Sequence, residues 1–206
     1  MDSGSKGKLA SAGAVATGAA ESRCDWCGTE PLLIRYHDEE WGVPERAEQP
    51  LFERLILEGM QAGLSWLTVL RKRNHMREAF LGFDIEALAA ADDHHMEEWL
   101  RDPGLIRNRA KLASVVINAQ ATLALPNSLS EQVWSFVDGE PTQNRWCRQG
   151  EVPSQTDASV AMSNSLKNLG FRFVGPVICY AFMQSAGLVN DHLVDCPAHS
   201  KCAALS

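Results

Sequence analysis

Apolar residues recur at helical spacing over most of this chain, with glycines and small polar residues punctuating the runs. No stretch alternates polar and apolar residues for long enough to make a sheet. Leu51, Phe52, Leu55, Ile56 and Met60 form one stripe, closed by Gly63. Asp84 is placed to cap a short helix carrying Ile85, Ala87 and Leu88. Another helix runs from near Asp93 to Leu100 with Gly104 beyond it, and a long one from about Ile106 to Leu123. Ser128 and Glu131 form a capping box ahead of Val133, Trp134, Phe136 and Val137. Residues 138–155 read as a loop. Helix returns from Asp157 to Asn168, and Pro176 opens a last one that Gly187 terminates. The fold class is all-α.

The two ends differ from this pattern. Residues 1–21 are rich in Gly, Ala and Ser and read as a disordered tail, the folded domain as 22–200, and 201–206 as a C-terminal tail. The segment from Arg23 to Pro44 is irregular and holds two Cys, two Trp, one Tyr and one His. A chain of 206 residues, 45% hydrophobic and 22% charged, fits one ordinary domain. No apolar run approaches the ~18 residues of a membrane span. Six irregularly spaced cysteines without a secretory signal point to a reducing, intracellular setting. The net charge of −7 argues against nucleic acid as a partner, but a groove can be basic on an acidic protein. Two basic clusters permit that: Arg71, Lys72, Arg73 and Arg77, then Arg101, Arg107, Arg109 and Lys111.

Three local constellations carry chemistry. Leu169 to Gly175 links two helices through a turn bounded by glycines, and the helix opening at Pro176 offers free amides and a positive dipole end to a phosphate. That is the outline of a helix-hairpin-helix, with Gly170, Phe171, Arg172 and Gly175 as its DNA contacts; an ordinary αα-turn with glycine caps has the same outline.

Cys24 and His37 near one end, and His192 and Cys196 near the other, make up the two thiolates and two imidazoles that structural zinc takes. The spacing of His192 and Cys196 suits one helical turn. Cys27, His199 and Cys202 stay open as alternative ligands, and each residue taken singly is equally at home as packed core. Glu58, finally, falls on the apolar stripe one turn from Leu55 and Ala62. It is either half-buried at a cavity or a stripe-edge residue reaching water. Trp26, Tyr36, Trp41 and Trp66 cluster around it in sequence, as core or as an aromatic slot suited to a flat cation.

Assembled, these pieces resemble the 3-methyladenine DNA glycosylase I family. The likeness runs from Arg23 to about Cys196 and is strongest in Tyr36 to Pro44, Leu57 to Trp66, Gly170 to Gly175 and Gly187 to His192. It implies an all-α helix-hairpin-helix DNA glycosylase fold with a zinc site on Cys24, His37, His192 and Cys196 joining the two ends. It implies that Glu58 hydrogen-bonds a flipped base, with Tyr36 and Trp66 stacking on it and Trp26 as a further pocket residue. Gly63 and Leu64 match the loop that enters the gap left in the duplex. The implied activity is monofunctional hydrolysis of 3-methyladenine from alkylated double-stranded DNA by a monomer, since no lysine stands in the hairpin for a Schiff base. Asn190 stands where the wider superfamily carries a catalytic Asp, leaving Asp191 as a possible assistant, and Leu33 replaces an aromatic found in some members. The competing class is a zinc-stabilised helix-hairpin-helix module without catalysis, which has no use for a carboxylate on an apolar stripe. A redox protein using Cys24 and Cys27 needs a βαβ setting that is not visible.

Overall fold

The computed structural model describes residue 1 and residues 22–205; the 1–21 tail expected from sequence lies, Met1 apart, outside the described residues. The fold is built around one helix, α2 (Glu48–Gln61), which is buried from Leu51 to Met60 except at half-buried Arg54. A helix with so little solvent face needs neighbours on all sides. It packs against α3 (Trp66–Ala79), α6 (Arg109–Leu123), α7 (Leu129–Trp134) and α9 (Pro176–Ser185). Two short helices, α4 (Ile85–Ala89) and α5 (Asp93–Arg101), pack on α6. Helix α8 (Asp157–Asn168) pairs with α9 across the hairpin, and α10 (Pro197–Ala203) ends the chain.

The sequence signals act as caps where they were expected. Asp84 accepts from the Ala87 amide, and Ser128 and Glu131 satisfy each other's backbone in a capping box. Helix α6 starts at Arg109 rather than Ile106, because Asn108 accepts from the Lys111 amide and so fixes the first turn. The pattern missed three helices, α10 among them, since it placed the last one at Pro176. The segment taken as irregular holds α1 (Pro31–Glu39), opened by a proline at its first position. Helix α3 has only Val69, Leu70 and Met76 buried, too thin a stripe to read. Among the described residues, strand structure amounts to one two-residue parallel pair, Thr142–Gln143 with Val189–Asn190. The boundary drawn at residue 200 falls inside α10, where Cys202 is buried.

The basic clusters are largely turned to the protein itself. Arg73 and Arg77 pair with Glu53, Arg73 also with Glu40, and Lys72 donates to the Pro103 and Gly104 carbonyls. Arg101 and Arg109 share Glu97. Lys111 is buried, and its Nζ donates to the Met60 and Ala62 carbonyls at 3.0 and 2.6 Å. It thereby satisfies carbonyls that the end of α2 leaves open.

Side chains from two helices hold the hairpin: Ser163 of α8 donates to the Val174 carbonyl at 2.6 Å, and Asn118 of α6 pins the tip. Buried Asn118 of α6 accepts from the Arg172 amide at 2.7 Å and donates to the Arg172 carbonyl at 3.0 Å. Gly59 of α2 lets the hairpin close in, since a Cβ there would stand 3.2 Å from that of Phe173. Asn118→Ala leaves two backbone groups without partners, a loss of about 1–3 kcal/mol. For a domain of this size the melting temperature should fall by several degrees, measurable by calorimetry.

Candidate base pocket and metal centre

Cys24, His37, His192 and Cys196 converge, with their ligand atoms all within 4.8 Å of one another. Cys24 Sγ lies 3.6 Å from His192 Nδ1, which lies 3.2 Å from His37 Nε2. Cys196 Sγ lies 3.6 Å from His37 Nε2 and 3.8 Å from His192 Nδ1. A tetrahedral ion with nitrogen at about 2.1 Å and sulfur at about 2.3 Å needs edges of roughly 3.3–3.8 Å, so the residues fit one. Both rings are oriented from behind: His37 Nδ1 meets Asp38 at 2.8 Å, and His192 Nε2 meets the Trp41 carbonyl at 2.9 Å. Hydrogen bonds from Cys24 and the imidazoles hold the Cys196 thiol far below its ordinary pKa, while the bond to Cys196 and burial push Cys24 up. This quartet can hold a metal ion.

Cys202 is buried outside the quartet, and the other two rival ligands are engaged elsewhere. Cys27 donates to the Cys24 carbonyl at 3.1 Å, and His199 meets the Asn144 carbonyl at 2.8 Å. His192 and Cys196 are not on a helical turn as their spacing suggested. The chain between them is a turn, and Cys196 is the residue before α10.

Beside the quartet lies a cavity of about 400 Å³ lined by Trp26, Leu33, Tyr36, Trp41, Glu58, Gln61, Trp66 and Gln184 among others. Tyr36 and Trp66 approach at 5.2 Å between ring centres, and Trp26 meets Trp41 edge-on at 5.0 Å. The indole nitrogens of Trp26 and Trp66 are buried without hydrogen-bond partners among the described residues. Glu58 is 4% exposed, and burial pushes its carboxyl from 4.5 up to about 8, with Ser185 and the Arg54 charge pulling only partly the other way. Burial and the nearby Glu58 push Tyr36 well above its ordinary value, so its hydroxyl keeps its proton. The sequence had brought forward Trp26, Tyr36, Trp41, Glu58 and Trp66; Leu33 also lines the wall, and Gln61 and Gln184 were missed. Gln184 gave no signal, because it lies 126 positions from Glu58 and only the packing of α9 on α2 brings it near.

Past the end of α2, Gly63 has φ +73° and Leu64 is 40% exposed. On the hairpin, Gly170 has φ +94°, Arg172 is exposed, and no side chain among the described residues caps α9 at Gly175. Phe171 departs from expectation. It is fully buried in the main core, so its ring anchors the hairpin and cannot reach a ligand outside. Asp191 is also away from the cavity wall, its two oxygens taken by Asn144, Trp146, Tyr180 and Gln184.

An all-α helix-hairpin-helix fold with an aromatic cavity closing on a buried carboxylate defines a protein of the DNA glycosylase class. The chain belongs to the methyladenine glycosylase family, whose model matches residues 26–199. It is 47% identical over 177 residues to DNA-3-methyladenine glycosylase 1 of Escherichia coli (strain K12), covering 84% of this chain and 95% of that one. A crystal structure of 3-methyladenine DNA glycosylase I matches with TM-score 0.85 and 48% identity, covering 86% of this chain and 100% of that one. The Staphylococcus aureus 3-methyladenine DNA glycosylase I, solved to explain 3-methyladenine recognition, matches with TM-score 0.84 and 34% identity, covering 88% and 98%.

The raised Glu58 pKa has a consequence for stability. Folding holds this proton more tightly than the unfolded chain does, so the group favours the fold fully below pH 4.5 and loses that contribution as pH rises through about 8. Gln has no proton to give up. The melting temperature of Glu58→Gln minus that of the wild type should therefore grow between pH 4.5 and 8 and level off above. A gap that stays flat over this range would remove the buried-proton account.

Proposed function

We propose that this protein is a DNA glycosylase that hydrolyses the N-glycosidic bond of 3-methyladenine in alkylated duplex DNA. The observation that carries this is Glu58: a carboxyl group, buried at the end of an aromatic cavity, whose pKa lies near 8. A pure DNA-binding module has no use for such a group. The relatives named above carry the same activity in their names.

The chemistry follows from the substrate. A base inside a stacked duplex is out of reach, so the nucleotide must turn out, at a cost of a few kcal/mol. Leu64 is the exposed apolar side chain that fills the gap, with Gly63 letting the loop approach, while the hairpin amides and Arg172 hold a phosphate. Methylation at N3 makes adenine cationic and a good leaving group. Tyr36, Trp66 and Trp26 surround the flat cation, and its charge draws Glu58 into the carboxylate form that neutral adenine leaves protonated. The sugar–base bond then breaks with its electron pair passing to the base, and water adds to the sugar carbon and loses a proton.

The metal is zinc in this proposal, structural because all four positions are protein side chains. It supplies cross-linking of the two chain ends and no step of the reaction. The protein works as a monomer inside the cell, on DNA; no helix among the described residues is long and apolar enough to cross a membrane.

Incubation with methylated duplex DNA should release free 3-methyladenine and retain 7-methylguanine, as resolved by chromatography. No release from folded, metal-loaded protein would favour the non-catalytic module. Glu58→Gln should still bind alkylated DNA but excise at least about tenfold more slowly, as expected for one charge-assisted hydrogen bond. Undiminished turnover removes Glu58 from the mechanism. Cys196→Ala should lower the zinc content measured in the purified protein from one per chain to none and lower the melting temperature.

A further inference from the structure

Gln184 stands at the C-terminal end of α9, half-buried on the cavity wall. Its Nε2 donates to Asp191 Oδ2 at 2.8 Å. Asp191 is 2% exposed, and its oxygens also accept from Tyr180 Oη at 2.6 Å, Asn144 Nδ2 at 2.6 Å and Trp146 Nε1 at 2.8 Å. An indole nitrogen can only donate, and four donors around one carboxylate leave it acceptor on every side. The Gln184 amide is therefore locked with its nitrogen towards Asp191. Its Oε1 has no hydrogen-bond partner among the described residues and is the polar atom this side chain has left for the cavity.

We propose that Gln184 is a specificity-determining residue, oriented by Asp191, whose Oε1 accepts a hydrogen bond from the exocyclic amine of an adenine-type base. The proposal rests on the base-excision function given above. Adenine presents an amine at position 6, whereas guanine and hypoxanthine present a carbonyl there. A carbonyl facing a fixed carbonyl gains no bond and leaves two acceptors opposed. A site built to meet an N–H rejects an analogue that lacks it. The amide cannot turn over to welcome the oxo base, because that would set its own oxygen against the Asp191 carboxylate.

The test is a cycle between protein and ligand, with free 3-methyladenine and 3-methylhypoxanthine as probes and quenching of tryptophan fluorescence as the readout. Gln184→Met keeps length and removes both polar atoms. It should weaken 3-methyladenine binding by roughly fivefold to tenfold and leave 3-methylhypoxanthine unchanged or tighter, so that discrimination narrows by that factor. Equal change for both bases, or no change for either, overturns the proposal, because a structural role moves both together. Melting curves and metal content identify a variant that has not folded, in which case Gln184→Ala is read by the same ratio. If the wild-type protein binds neither base, the base-excision reading itself falls and this inference falls with it. If the wild type binds 3-methyladenine and the ratio does not move, this inference alone falls.

Discussion

The closure of the two chain ends on each other is the constraint on which the rest depends. Cys24 and His37 come from one end and His192 and Cys196 from the other, and backbone bonds run beside them from Gly42 to Gln184 and from Glu45 to Ala186. Arg54 adds to the seam by donating to the Ser185 and Val43 carbonyls. The approach is so close that a Cβ on Gly187 would stand 2.4 Å from the Val43 carbonyl carbon. Consecutive residues then serve both sites: Tyr36 lines the cavity and His37 enters the quartet. Trp41 likewise lines the cavity with its ring and orients His192 with its carbonyl. Part of the cavity's aromatic wall is thus set by the same turn of α1 that brings His37 into the quartet.

What the sequence made legible was local. Caps and helical stripes depend on neighbours three or four positions apart, so Asp84, Ser128 and the span Asp157–Asn168 came out where they were read. Helix α3 was illegible because its arginines are satisfied by Glu30, Glu40 and Glu53, partners from other elements, and no apolar stripe reveals it. Phe171 was read as a contact because the hairpin is exposed as a segment, although its ring turns into the core. The quartet was visible as residue types, but four residues singled out from six Cys and six His needed the family likeness in sequence and the distances in space. Asn118 lay beyond both because its partner Arg172 is 54 positions away, and Gln184 because only the packing of α9 on α2 brings it to the cavity.

Helix α2 carries two buried carboxylates with different fates, and the difference explains what the cavity is for. Glu53 faces α3 and is paired by Arg73 and Arg77, so its charge is answered inside the protein. Glu58, five positions on, faces the cavity, where the charge of Arg54 acts on it but is already committed to carbonyls and to Glu45. A carboxyl shifted from 4.5 to about 8 carries a penalty for its charged form on the order of a few kcal/mol. Nothing in packing requires that cost, because a glutamine would fit the same space without it. A cationic ligand relieves the penalty and a neutral one of the same shape does not. The stability withheld by burying Glu58 is therefore available as a preference for positive charge, and the near-complete burial of the carboxyl limits how far solvent screens it.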